Sequence, residues 1–305
     1  MLAFALKRLG LAALVMVTVS LVSFSLLRLS GDPAVAIAGE GATSATIEAI
    51  RAQYGFDRPL SIQYFQWLFG ALQGDFGQSY YFRLPVADLI ADRLSVTLLL
   101  GLCSIVFALV IAVPLGVAAA VRPNSIIDRT ALFLSVAGQA LPSFWFGLIL
   151  IMVFSIQLGW LPPSGSESWR HFIMPTIVLG YYAMPAIMRL TRAGMLEVLK
   201  ADYIRTARAK GAGAGRVLFK HALRNAIIPV VSLAAVQMGF MLGGSIVVES
   251  IFALHGAGYL AWESIGRKDL PTVQALILIF SSFYIVFTLL SDLVNAWLDP
   301  RMRVG

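Results

Sequence analysis

Six stretches of this 305-residue chain carry no Asp, Glu, Lys or Arg: Leu9–Leu27, Leu94–Val121, Thr130–Ser166, Ser168–Met188 (interrupted only by Arg170), Asn225–Val248 and Leu270–Ser291. Crossing a bilayer takes about 20 mostly apolar residues at 1.5 Å per helical residue. The first, second, fifth and sixth runs meet that length plainly. The third is long enough for a span ending near Leu158, before a Gly-Trp-Leu-Pro-Pro turn, and the fourth is short and carries Pro175 and Pro185. With 59% hydrophobic and 13% charged residues, against about 25% charged in a soluble domain, the chain has too little polar surface to face water. The expectation is an all-α, polytopic membrane helix bundle of about six transmembrane helices, at 9–29, 94–121, 130–158, 171–190, 227–249 and 271–297. The first run, preceded by Lys7 and Arg8 and followed by Ala34-Val35-Ala36, invites comparison with a signal peptide. It exceeds the usual 7–15-residue apolar core of such peptides, so it reads as a retained span.

Six spans place both termini on one side of the membrane. That side holds 15 of the 23 Lys and Arg residues, nine of them between Arg189 and Arg224, against the acids Asp128, Glu197, Asp202 and Asp299. The other side holds eight basic residues and eleven acids, and the sixteenth acid, Asp292, lies at the end of the last charge-free run. Positive charge gathers on the cytoplasmic side of membrane proteins, so both ends are expected there. The segments 30–93 and 250–270 are expected outside, and a basic loop, 191–226, inside. The charge of +7 thus reports topology, and no nucleic-acid partner is implied; the lipid bilayer is the partner the composition demands.

Within the spans, Ser104, Ala108, Ala112, Gly116 and Ala120 recur every four residues and form a stripe where another helix backbone can approach closely. No acid or base sits in mid-span, which argues against a proton- or sodium-driven carrier; a detectable inverted repeat is also absent. The uncharged residues Gln139, Ser143, Tyr181, Gln237 and Ser245 are candidates to line a translocation path, and each equally suits an interhelical hydrogen bond. Cys103 is a lone thiol in an apolar run, and the three histidines fall on opposite sides of the membrane, so no metal site is expected. Motifs of an intramembrane enzyme (His-Glu-x-x-His, Gly-x-Ser-x-Gly) are missing.

The inner loop is the most informative segment. Residues from about Leu196 to Lys210 favour helix, Gly211 is a natural stop, and a second short helix resumes near Gly215 with Val217, Leu218, Ala222 and Leu223 on one apolar side. Such a basic helix–turn–helix can rest on anionic headgroups or offer its turn to a soluble partner. The residues alone leave those alternatives even, and a purely structural subunit would need neither.

Thr206-Ala207 followed by Gly211 resembles the Glu-Ala-Ala-x-x-x-Gly loop of ABC-importer permeases, with Thr206 in place of the glutamate. The strings "DYIRTARAKGAG" and "VLFKHALRNAIIPV" are similar to the dipeptide/oligopeptide/nickel branch of that family. So are "YGFDRPLSIQYFQWLFGALQGDFGQSY" (54–80), "ALPSFWFGLIL" (140–150), "RLTRAGMLEVL" (189–199) and "ESIFALHGAGYLAWESIGRKDLP" (249–271). Arg224 stands where many relatives outside this branch have a proline, and Pro229 follows later. The resemblance implies a type I importer fold in a bacterial inner membrane, forming half of a path for short peptides. Nickel complexes, glutathione or another small solute are the alternative cargoes. It implies as partners a second homologous permease, two cytoplasmic ATPase subunits and a periplasmic substrate-binding protein. Thr206, Ala207, Arg208, Lys210, Gly211 and Ala212 are the implied ATPase-docking residues. No Gly-x-x-x-x-Gly-Lys-Ser/Thr phosphate loop occurs. ATP and magnesium are therefore expected in the partner subunits, with no cofactor and no enzymatic activity in this chain.

Overall fold

A computed structural model describes residues 2–29, 31–39 and 41–298. Among these the chain is helical, with α1 (Leu2–Leu29), α2 (Pro33–Ala38), α3 (Ser44–Tyr54), α4 (Leu60–Leu72), α5 (Val86–Val121), α6 (Ile126–Ala140), α7 (Ser143–Leu150), α8 (Arg170–Val198), α9 (Asp202–Ala209), α10 (Arg224–Ala226), α11 (Ile228–Ile251), α12 (Ala257–Gly266) and α13 (Leu270–Leu298). Among the described residues five helices are long and apolar enough to cross a membrane: Ala5–Leu29, Val86–Val121, Arg170–Val198, Ile228–Ile251 and Leu270–Asn295. In hydrocarbon the backbone must satisfy its own hydrogen bonds, and the helix does so within one segment.

The structure departs from the sequence reading in four places. α5 begins at Val86, ahead of the charge-free run, because Asp88, Asp92 and Arg93 sit on turns that extend beyond the apolar stretch. Over 130–158 the chain forms two helices. The chain leaves α6 at Leu141 with an extended backbone (ψ 122°), and Pro142 opens α7. α7 then relaxes into a π-helical segment, Ile151–Gln157. α8 absorbs both Pro175 and Pro185 and runs to Val198, beyond the expected end at 190. The continuous helix expected from Leu196 to Lys210 is broken at Leu199–Ala201, where Ala201 turns extended (ψ 147°).

The core is the contact of α5 with α8. Ser104, Ala108, Ala112, Gly116 and Ala120 are all buried, on the face α5 turns toward α8. A Cβ on Gly180 of α8 would stand 2.7 Å from the Ser104 carbonyl oxygen, and one on Gly116 2.7 Å from that of Met188. The two backbones meet where only glycine fits. α11 packs against this pair and against α13, and α1 rides on α13, tied at one end by an Arg8–Asp292 ion pair.

This approach yields a direct test. Gly180→Val forces a side chain onto a carbonyl that cannot withdraw, and overpacking of this kind costs about 1–3 kcal/mol. The variant is expected to lower the thermal midpoint of the detergent-solubilised protein. Gly10→Val, which meets open space, should leave it unchanged; equal midpoints for both would contradict the close approach.

Candidate functional site

Helix α9 and its turn project from the end of the bundle that carries Arg205, Arg208, Lys210, Arg216, Lys220 and Arg224. α9 opens with Asp202 in its first turn and closes with Arg208 in its last, each sign complementing the helix dipole. Its end is fully capped. The Gly211 N–H donates to the Arg208 carbonyl (2.9 Å) and the Ala212 N–H to the Ala207 carbonyl (3.1 Å). This paired 5→2 and 6→1 pattern is the Schellman motif. It requires a left-handed residue, and Gly211 supplies it with φ +79°. The motif also gives a physical reason for the Ala-x-x-x-Gly spacing. Ala207 and Ala212 are the two half-buried positions that close over each other, while Arg208, Ala209, Lys210 and Gly211 between them, and Thr206 just before, are exposed.

The turn is held from beneath. Ile204, fully buried, reaches a cluster of Val117 and Ala120 from α5, Met195 from α8, and Val217, Ala222 and Ala226 beyond the turn. Asn225 donates to the Tyr203 hydroxyl (2.8 Å) and to the His221 carbonyl (3.3 Å). A π-helical stretch, Arg216–Leu223, returns the chain toward the bundle and leaves Phe219 exposed. The result is a basic knob whose apolar underside packs on the bundle. It can transmit force, because its anchor lies among the ends of α5 and α8.

The candidate path residues separate into two groups. Ser143 and Gln237, together with Tyr182, line a cavity of about 130 Å³ bounded by α7, α8 and α11. Tyr181 is buried and donates its hydroxyl to the Leu141 carbonyl, the group freed by the break before Pro142. Ser245 is buried and bonds back to the Leu242 carbonyl at 2.8 Å. The side chain of Gln139 lies outside the described residues.

Three acids matter more than their positions in sequence indicate. Glu249 closes a charge-free run and is fully buried. Its carboxylate accepts from the Thr97 hydroxyl (2.8 Å) and the Tyr259 N–H (2.8 Å), while Thr97 accepts from the Ala257 N–H (2.8 Å). Residues of α5 and α11 thus jointly cap the N-terminus of α12. The backbone closes so tightly that a Cβ on Gly256 would lie 2.4 Å from a Glu249 oxygen. Gly256-x-Gly258 after an acid at a run end is the signal that marks this clasp. Asp269, also fully buried, accepts from the Ser79 hydroxyl (2.6 Å), the Tyr80 N–H (2.9 Å) and the Thr272 hydroxyl (2.7 Å). Nothing local in the sequence pairs residues so far apart. Asp128, 2% exposed, receives a two-pronged hydrogen bond from Arg192 at 2.6 and 2.7 Å. Arg192, counted by sequence among the basic residues of the inner side, therefore ties α6 to α8.

A multi-spanning helix bundle with a projecting, anchored basic turn is the form of a membrane transport subunit. Residues 112–304 match the family described as binding-protein-dependent transport system inner membrane component, and residues 1–101 its N-terminal companion. The chain belongs to this family and is a permease component of an ABC transporter. It is 44% identical over 304 residues to the glutathione transport system permease protein GsiC of Escherichia coli (strain K12), covering 99% of each chain. The same protein of Salmonella choleraesuis (strain SC-B67) is 42% identical over 304 residues, with the same coverage. The fold is similar to the inward-facing MetNI methionine ABC transporter (TM-score 0.53, 22% identity, 70% of this chain and 95% of that one). It is also similar to an amino acid ABC transporter (TM-score 0.51, 18% identity, 70% and 94%).

Two outcomes test the geometry. Gly211→Ala places a Cβ on a left-handed backbone at a cost of about 1 kcal/mol, so amide exchange at Gly211 and Ala212 should quicken about fivefold; unchanged protection would contradict the cap. Glu249→Leu leaves the Thr97 hydroxyl and Tyr259 N–H without acceptors, a loss of about 1–3 kcal/mol. A lowered thermal midpoint and faster exchange at the start of α12 are expected, and wild-type exchange there would contradict the clasp.

Proposed function

We infer that this chain is the permease subunit of an ATP-driven importer in a bacterial inner membrane, with both termini in the cytoplasm, and forms half of its translocation path. The other half comes from a second, homologous permease. Two cytoplasmic ATPases grip the turn Thr206–Ala212, and a periplasmic binding protein delivers cargo at the opposite end. The observation that carries this reading is the exposed, Schellman-capped turn rooted by Ile204 between α5 and α8. A knob so anchored passes a displacement to the bundle, whereas a loop resting on lipid has no need of the anchor. The charge asymmetry supports the inside location of that turn.

The chemistry is mechanical. ATP closes the ATPases, the turn follows, and the bundle alternates between inward- and outward-open forms. The turn must engage its partner differently in the two states, since coupling is a difference of interaction energies. The α6–α7 joint, where Tyr181 already satisfies the freed Leu141 carbonyl, suits a bend that costs no orphaned backbone group. ATP and magnesium belong to the partners, and no catalytic or cofactor role falls to this chain.

The cargo proposed is a short peptide. Glutathione, the solute in the name of the GsiC relatives, is itself a modified tripeptide and stands first in line. Ser143, Tyr182 and Gln237 place uncharged polar groups in an otherwise apolar lining, which suits a route that passes cargo without gripping it.

In proteoliposomes holding the whole assembly, Ala207→Asp with Gly211→Pro should reduce cargo-stimulated ATP hydrolysis more than tenfold while the complex stays assembled. Full stimulation would overturn the coupling reading. Uptake of labelled glutathione competed by di- and tripeptides identifies the cargo, and failure of both to enter would reject the peptide class.

A further inference from the structure

One concavity lies outside the transport machinery above. It is a groove of about 900 Å³ between α1, the Asp32–Pro33 corner and α4, at the end of the bundle opposite the basic turn. Its floor and walls are apolar: Val17, Leu21 and Phe24 from α1, and Leu60, Phe65 and Leu68 from α4. Helix α4 is half-sunk against α1, through the Ser20–Tyr64 hydroxyl pair (2.8 Å) and the edge-on Phe24–Tyr64 contact (5.4 Å between centroids).

Two features indicate what the groove accepts. The first is depth. From Val17 to Arg28 the helix rises about 16 Å, which matches one leaflet of a hydrocarbon core about 30 Å thick. The second is the charge at its mouth. Arg28, half-buried, stacks over the rings of Phe24 (5.2 Å) and Phe56 (4.9 Å). No carboxylate among the described residues forms an ion pair with it. Its neighbour Arg51 is committed to Asp32 and Glu48. Stacking holds the guanidinium plane and leaves its edge, the fork that fits a phosphate in two-pronged fashion, available. Arg28 thus presents a guanidinium edge outside any ion pair among the described residues, above an apolar slot one leaflet deep.

We propose that this groove is a phospholipid site, with the lipid phosphate on Arg28 and an acyl chain along Val17, Leu21 and Leu68. The bound lipid braces α4 and the segment after α1 against the first span. The same leaflet supplies the ligand wherever the protein is inserted, so the proposal stands apart from the choice of cargo and from the coupling mechanism.

Native mass spectrometry of the purified whole assembly, released from micelles doped with palmitoyl-oleoyl phosphatidylglycerol, reads the site. The wild type should retain a phosphatidylglycerol that Arg28→Gln lowers at least fivefold. Leu21→Trp, which fills the slot and leaves the charge in place, should lower it likewise. Arg28→Lys should fall between, and Arg170→Gln, another cation at that end, should have no effect. Equal retention by wild type, Arg28→Gln and Leu21→Trp would overturn the proposal. So would a Leu21→Cys, Cys103→Ser chain that cross-links efficiently to the second permease, because the groove would then be covered by protein.

Discussion

The requirement that no buried backbone group go unpaired, strictest inside a bilayer, governs this structure. It makes the spans helical, and it also decides where helices may stop. The chain breaks register at three places that matter, and each break is answered by named atoms. At Leu141 the freed carbonyl takes the Tyr181 hydroxyl. At Gly211 the last carbonyls of α9 take the amides of the Schellman turn. At Gly256 the first amides of α12 take Thr97 and Glu249. The broken elements are the ones suited to move or to be held by partners, while α5 and α8 remain whole and locked along their small-residue seam.

Packing then links those breaks. The α5–α8 seam runs between the two ends of the bundle, with Thr97 of the α12 clasp near one end of α5 and Val117 and Ala120 beneath the basic turn near the other. Because glycine at 116 and 180 lets backbones touch, the pair behaves as a strut. Ile204 packs on helices that also carry the clasp at the far end, so a push on the turn would bear on both.

Much of this was legible in the sequence, for a physical reason. Charge-free runs report spans because burying charge in lipid is costly, and the four-residue stripe on α5 reports close packing because nothing larger fits. The turn from Ala207 to Gly211 was legible because its cap needs one residue type at one spacing. What escaped were long-range pairings. Arg192 looks like any loop cation until Asp128 comes beside it from 64 residues away, and Glu249 looks interfacial until the glycine turn folds over it. The break within 130–158 was masked by unbroken apolar composition, since Pro142 alone does not distinguish a kink from a full interruption. Tyr181 and Ser245 are polar and mid-helix, which suits a path or a hydrogen bond alike, and the backbone carbonyls that engage their hydroxyls are not legible in the sequence.

The claim at the centre is that the capped turn is held by the nucleotide-hydrolysing subunits. A cysteine at Arg208, in a Cys103→Ser chain, tests it within the intact assembly by disulfide or short bifunctional cross-linking to the ATPase subunits. The account predicts efficient cross-linking whose yield or partner position changes between nucleotide-free and ATP-bound states. A thiol that stays freely reactive with a soluble maleimide in both states, with no cross-link formed, would contradict it.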